Sequence, residues 1–139
     1  MFGQNGVARL LLRLLVAAGL AVDAYVHFDL ASQYDSPGAR ISQGTLFQIE
    51  AIVAVVAAVL VIAVRRWITD VFAFLVAISA FAAVVVYRFV DVGAFGPFPN
   101  MYEPNWYTEK TLSAVAEAVA ALAALLLVVF PQRRRQPSM

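Results

Sequence analysis

Residues 44–64 read GTLFQIEAIVAVVAAVLVIAV, and this run decides the architecture. Glu50 is its only ionisable residue. About 20 apolar residues in an α-helix cross roughly 30 Å of hydrocarbon. An open strand in lipid would leave its backbone groups unpaired. The run also lacks the alternating polar positions of a membrane barrel. Similar runs occupy 7–30, 67–90 and 111–130. The expected fold is therefore an all-α, polytopic membrane protein: a four-transmembrane-helix bundle in one domain, 1–139. Outer loops fall at 31–43 and 91–110, and a basic tail at 131–139.

Composition agrees. Hydrophobic residues make up 63% of the chain and charged residues 14%, with a mean hydropathy of +0.81. Soluble domains run near 45–50% apolar and about 25% charged. The net charge of +1 offers no field for nucleic acid. The absence of cysteine removes disulfides, thiol redox chemistry and thiolate metal sites. A single histidine, His27, removes a bis-histidine haem within one chain.

Orientation follows from the arginines. Arg9 and Arg13 open the first run, Arg65 and Arg66 join the second to the third, and Arg133, Arg134 and Arg135 follow the fourth. Arg40, Arg88 and Lys110 fall toward the other side. The positive-inside rule then places both termini and the 65–66 link in the cytoplasm, with both long loops outside. Trp67 marks the inner interface, and Tyr34, Tyr102, Trp106 and Tyr107 the outer one. Val22-Asp23-Ala24 imitates a signal cleavage site, but the apolar run is long for a signal and the pattern holds an aspartate.

Asp23, Glu50 and Glu117 each sit inside one of these apolar runs. An ionisable group at the bilayer centre costs roughly 2.5–3.5 kcal/mol on insertion scales. Each lies about two turns inside the outer boundary. His27 follows Asp23 at i+4, and Ser113 precedes Glu117 by four. Gln43 and Phe47 share the face of Glu50. Tyr87 and Arg88 stand near the outer end of the third run, with Asp91 at i+4 and i+3 from them. The expected ligand- or ion-binding set is Asp23, His27, Glu50, Tyr87, Arg88, Asp91 and Glu117. No catalytic residue is assigned.

Charge within that set is uneven. Three acids face Arg88 and at most a charged His27. Either a carboxyl keeps its proton or a cation joins the site. A mute network of protonated acids bonded between helices is the plainer alternative. No HxxH, HExxH or paired Glu-x-x-His motif is present, so no metal is assigned. One histidine among carboxylates would suit a hard or borderline divalent ion. No cofactor is expected; a cation or a lipid is the ligand class the site admits. Asp70 reads as structural, with Arg66 four residues before it.

Two further features complete the pattern. Residues 93–110 read GAFGPFPNMYEPNWYTEK, a rigid aromatic loop suited to a lid over the cluster or a plug in the headgroups. Alanines recur at four-residue spacing: Ala116, Ala120 and Ala124, then Ala114 and Ala118. On the third run Ala73, Ala77 and Ala80 are spaced by four and then three residues. Small residues so placed let helices approach closely, inside a bundle or across a dimer.

VHFDLASQYD, ISQGTLFQIEA and YRFVDVGAFGPFPNMYEPNWYTEKTLSAVAEAVA resemble runs in a family of small, uncharacterised four-span integral membrane proteins of actinobacteria. The resemblance covers most of the chain and implies topology, a bacterial source and the plasma membrane, but no activity. The expected function is a non-enzymatic accessory subunit or a small-ligand binding module with an outward-facing polar pocket. A proton- or cation-coupled transporter acting as an oligomer is the second reading. A membrane-embedded enzyme acting on a lipid or quinone is the third. The expected partners are the lipid bilayer and a homo-oligomer or larger membrane complex, with no nucleic acid.

Overall fold

The computed structural model describes residues 6–31, 43–89 and 108–131. They form four helices: α1 (Gly6–Ala31), α2 (Gln43–Ala63), α3 (Trp67–Phe89) and α4 (Thr108–Val129). Three stretches are long and apolar enough to cross a membrane: Thr45–Ala63, Trp67–Val86 and Lys110–Val129. The chain is an all-α protein of membrane type.

Each helix packs on the next, and α4 returns to α1. Contacts at the helix ends show that neighbours run antiparallel. Arg9, near the start of α1, donates to the Phe130 carbonyl just past α4 (2.6 Å). Arg13 donates to the Val61 carbonyl near the end of α2 (3.2 Å) and to Asp70 at the start of α3. These contacts define an arginine end of the bundle. The opposite end gathers the starts of α2 and α4 beside the second half of α1.

The interior is built from small residues. Ala51, Ala54, Ala57, Ala73, Ala77, Ala120 and Ala124 are fully buried, among Val16, Leu20, Val61 and Leu127. Large aliphatic and aromatic side chains face outward: Leu11, Leu14 and Phe28 on α1, Ile52 and Val59 on α2, Leu75 on α3 and Leu122 on α4. In water so much exposed apolar surface would drive association. In lipid it is the matching surface, and close backbone packing holds the helices together. Ala116, Ala120 and Ala124 are buried within the single chain.

The α2–α3 turn places Asp70. The Val64 and Arg65 amides both return to the Leu60 carbonyl (2.9 and 3.2 Å). Arg65 adopts a positive φ of 58°, a conformation that costs a non-glycine residue roughly 1–2 kcal/mol. Thr69 then bonds the Arg66 amide (3.0 Å) and donates to the Arg66 carbonyl (2.7 Å), capping the start of α3. Trp67 Nε1 donates to the Val128 carbonyl (3.1 Å), tying this turn to the end of α4.

The expected Arg66 partner for Asp70 is corrected here. Asp70 pairs with Arg13 instead, through a fork of 2.6 and 3.3 Å. Arg66 precedes the first helical residue, so the i,i+4 face argument does not apply to its side chain. Arg13 lies two turns inside α1 and is buried, as is Arg9.

Candidate functional site: a buried acid–imidazole cluster

On α1, one helical turn separates Asp23 from His27, so both side chains project to the same side. The start of α2 contributes Glu50. The first half of α4 contributes Ser113 and Glu117, again one turn apart. Asp23 and Glu117 are 0% exposed, and Ser113 is 2% exposed. His27 is nearly buried, and Glu50 is the most open member, its side chain 23% exposed. The cluster thus runs from a dry floor on α1 and α4 to a rim at Glu50.

Asp23 is the hub. Its Oδ1 lies 2.9 Å from His27 Nδ1 and 3.4 Å from Ser113 Oγ. His27 Nδ1 faces three acceptors: the Asp23 carbonyl at 2.8 Å, Asp23 Oδ1 at 2.9 Å and Glu50 Oε2 at 3.2 Å. One N–H cannot satisfy all three. Ser113 donates to Glu117 Oε2 at 2.9 Å, its better-placed acceptor. The Phe47 and His27 rings meet in a T-shaped contact, with centroids 5.0 Å apart.

Donors run short. Ionised carboxylates only accept hydrogen bonds. Asp23 Oδ2, Glu117 Oε1 and both Glu50 oxygens are buried with no hydrogen-bond donor. The Glu50 contact to His27 is close enough for an ion pair but makes no hydrogen bond. Asp23, His27 and Glu117 each offer a ligand atom, all within 4.8 Å of one another, and so could hold a metal ion. Below the cluster, α1 touches α4 at Gly19, where an added Cβ would meet the Ala116 carbonyl oxygen at 2.6 Å. That contact is a close backbone approach on the arginine side of the cluster.

Of the expected set, Asp23, His27, Glu50 and Glu117 come together in space. The side chains of Tyr87 and Arg88, all of Asp91 and the 93–107 loop lie outside the described residues. Ser113 belongs to the cluster but was not in the expected set. Its spacing from Glu117 signals a shared face, yet a serine carries no charge to mark it in an apolar run. Arg13 and Asp70 form a second buried polar contact, ten residues along α1 from Asp23, or about 15 Å of helix rise. No protein-family model, curated protein or solved structure matches the chain.

Proposed function

We propose that the chain is a four-span protein of a bacterial plasma membrane, with both termini cytoplasmic, that binds a small cationic ligand in a pocket open to the outside. It acts as a binding module or accessory subunit rather than as an enzyme. Support for α1 as the fourth span comes from its faces. Arg9, Arg13 and Asp23 all turn inward, while Leu10, Leu11, Leu14, Leu15, Tyr25 and Phe28 face out. The arginine end carries Arg9, Arg13, Arg65 and Arg66, which supports the inside assignment for that end.

The observation that carries the binding function is the surplus of buried acceptors. Asp23, Glu50 and Glu117 all hold oxygens without a donor, gathered round one imidazole. A cation satisfies such a group directly. The close packing of Gly19 on Ala116 beneath the cluster supports a binding site over a conduit. Accessory partners, or further copies of the chain, would dock on the apolar outer face.

A double-mutant cycle tests the pocket. Asp23→Asn and Glu117→Gln keep the side-chain shapes. Their effects on unfolding in mild detergent are measured singly and together. Groups in contact couple by about 0.5–3 kcal/mol, whereas separate sites add within about 0.3–0.5 kcal/mol. Coupling in that higher range is expected. Simple additivity would remove the shared pocket.

A further inference from the structure

We infer that Asp23, Glu117 and His27 are the ligands of one divalent transition-metal ion. This inference rests on the binding-pocket reading and names its ligand class. The geometry comes first. Metal–ligand bonds to oxygen and imidazole nitrogen are about 2.0–2.2 Å. Two ligands on one ion therefore stand about 3 Å apart when adjacent and about 4.2 Å apart when opposite. His27 Nδ1 and Asp23 Oδ1 are already 2.9 Å apart. All three ligand atoms lie within 4.8 Å of one another, close to the span that a common ion sets.

The second observation is independent of that clustering. Asp23 and Glu117 are both 0% exposed, and each keeps one oxygen engaged and one free. Ser113 holds Glu117 Oε2, which leaves Oε1 without a partner. His27 and Ser113 approach Asp23 Oδ1, which leaves Oδ2 without a partner. Acceptors fully removed from water and lacking a donor are a costly arrangement unless a cation meets them. Ser113 thus lies against both carboxylates, and each keeps an oxygen free for an ion.

Charge selects the ion's valence. Two carboxylates and a neutral imidazole sum to minus two, which a divalent ion cancels. A monovalent ion would leave a net charge at the dry floor of the pocket. Glu50 stands apart at the partly exposed rim. The donor set selects the class. Imidazole with carboxylates suits zinc, manganese or iron, whereas magnesium and calcium prefer oxygen alone, and the described residues of the cluster carry no sulfur for copper(I). Binding through His27 Nδ1 requires that nitrogen to shed its proton, since a ligating imidazole is neutral at the metal-bound position.

The test uses the full chain in mild detergent, stripped of metal with a chelator and then titrated with Zn²⁺ or Mn²⁺ by calorimetry. One ion per chain and a rise in Tm with metal concentration are expected. Asp23→Asn, Glu117→Gln and His27→Ala should each lower the affinity at least tenfold. Leu122→Ala, on the lipid-facing side of α4, should leave it unchanged. Absence of saturable binding by the native chain, or binding that survives both carboxylate substitutions, would overturn the inference. So would equal affinity for Mg²⁺ or Ca²⁺. The native-chain titration does not depend on any variant folding. Coupling of Asp23 to Glu117 without metal binding would leave the pocket standing and remove only the metal; loss of both would remove the pocket as well.

Discussion

Gly19 on α1 lies so close to Ala116 on α4 that an added Cβ would sit 2.6 Å from the Ala116 carbonyl oxygen and 2.9 Å from the Ala120 Cβ. Gly19 is one turn before Asp23, and Ala116 immediately precedes Glu117. The contact that brings the two backbones together is therefore what brings the two acids together.

Gly19→Ala is expected to destabilise the bundle despite the better helix propensity of alanine. Propensity favours the change by about 1 kcal/mol. Overpacking opposes it by about 1–3 kcal/mol, and the obstructing atom is backbone, which cannot swing aside. A net loss of thermal stability in detergent, together with weaker coupling between Asp23 and Glu117, is the predicted result. An unchanged or raised Tm would show that the helices part without cost.

Breaking the Arg13–Asp70 pair should cost far more than any surface change. Both side chains are buried, so removing one partner strands the other; such changes cost about 3–5 kcal/mol. Arg13→Met or Asp70→Asn alone is expected in that range. Arg13→Met with Asp70→Leu should recover much of the loss, because neither member of the pair is left as an unpaired buried charge. Arg66→Ala should fall within about 0.5 kcal/mol of the native chain. Chemical unfolding in mixed micelles measures all four, and a large Arg66 effect with a small Arg13 effect would return Asp70 to its sequence neighbour.

Small residues between α1 and α4 should be more sensitive than large residues facing out. Ala120 is fully buried against Gly19, while Leu122 is 63% exposed. Ala120→Leu is expected to lower stability by about 1–3 kcal/mol through forced separation of the helices. Leu122→Ala is expected to be nearly silent in detergent or lipid. Similar small effects at both positions, read as Tm shifts, would count against the close-packed interior.

Topology can be read by cysteine labelling, since the native chain has no cysteine. Thr108 and Arg66 are exposed and lie at opposite ends of the bundle. A cysteine replacing Thr108 should react with an impermeant thiol reagent applied to intact cells. One replacing Arg66 should react only after the membrane is opened. The reverse pattern would invert the proposed orientation.

Much of this architecture is legible without coordinates. Long apolar runs in lipid have helix as their stable form, so four helical elements follow from hydropathy and length. The i,i+4 spacing of Asp23 with His27, and of Ser113 with Glu117, places each pair on one face. Depth along each run puts the acids near one level. Helical periodicity, however, says which face a side chain occupies and not which helix that face meets.

That second question belonged to the tertiary structure. Sequence proximity suggested Arg66 for Asp70, whereas packing delivered Arg13 from 57 residues away. Arg9 and Arg13 read as flanking charges, yet the arrangement of α2, α3 and α4 supplies carbonyls and a carboxylate that bury both. Gly19 is an unremarkable residue in an apolar run until α4 lies against it. The free oxygens of Asp23 and Glu117 are likewise invisible in sequence, because a hydrogen-bond deficit depends on distances of a few ångströms between separate helices. Hydropathy and periodicity determined the elements and their polar faces; the close approach permitted by glycine and alanine decided which of those faces meet.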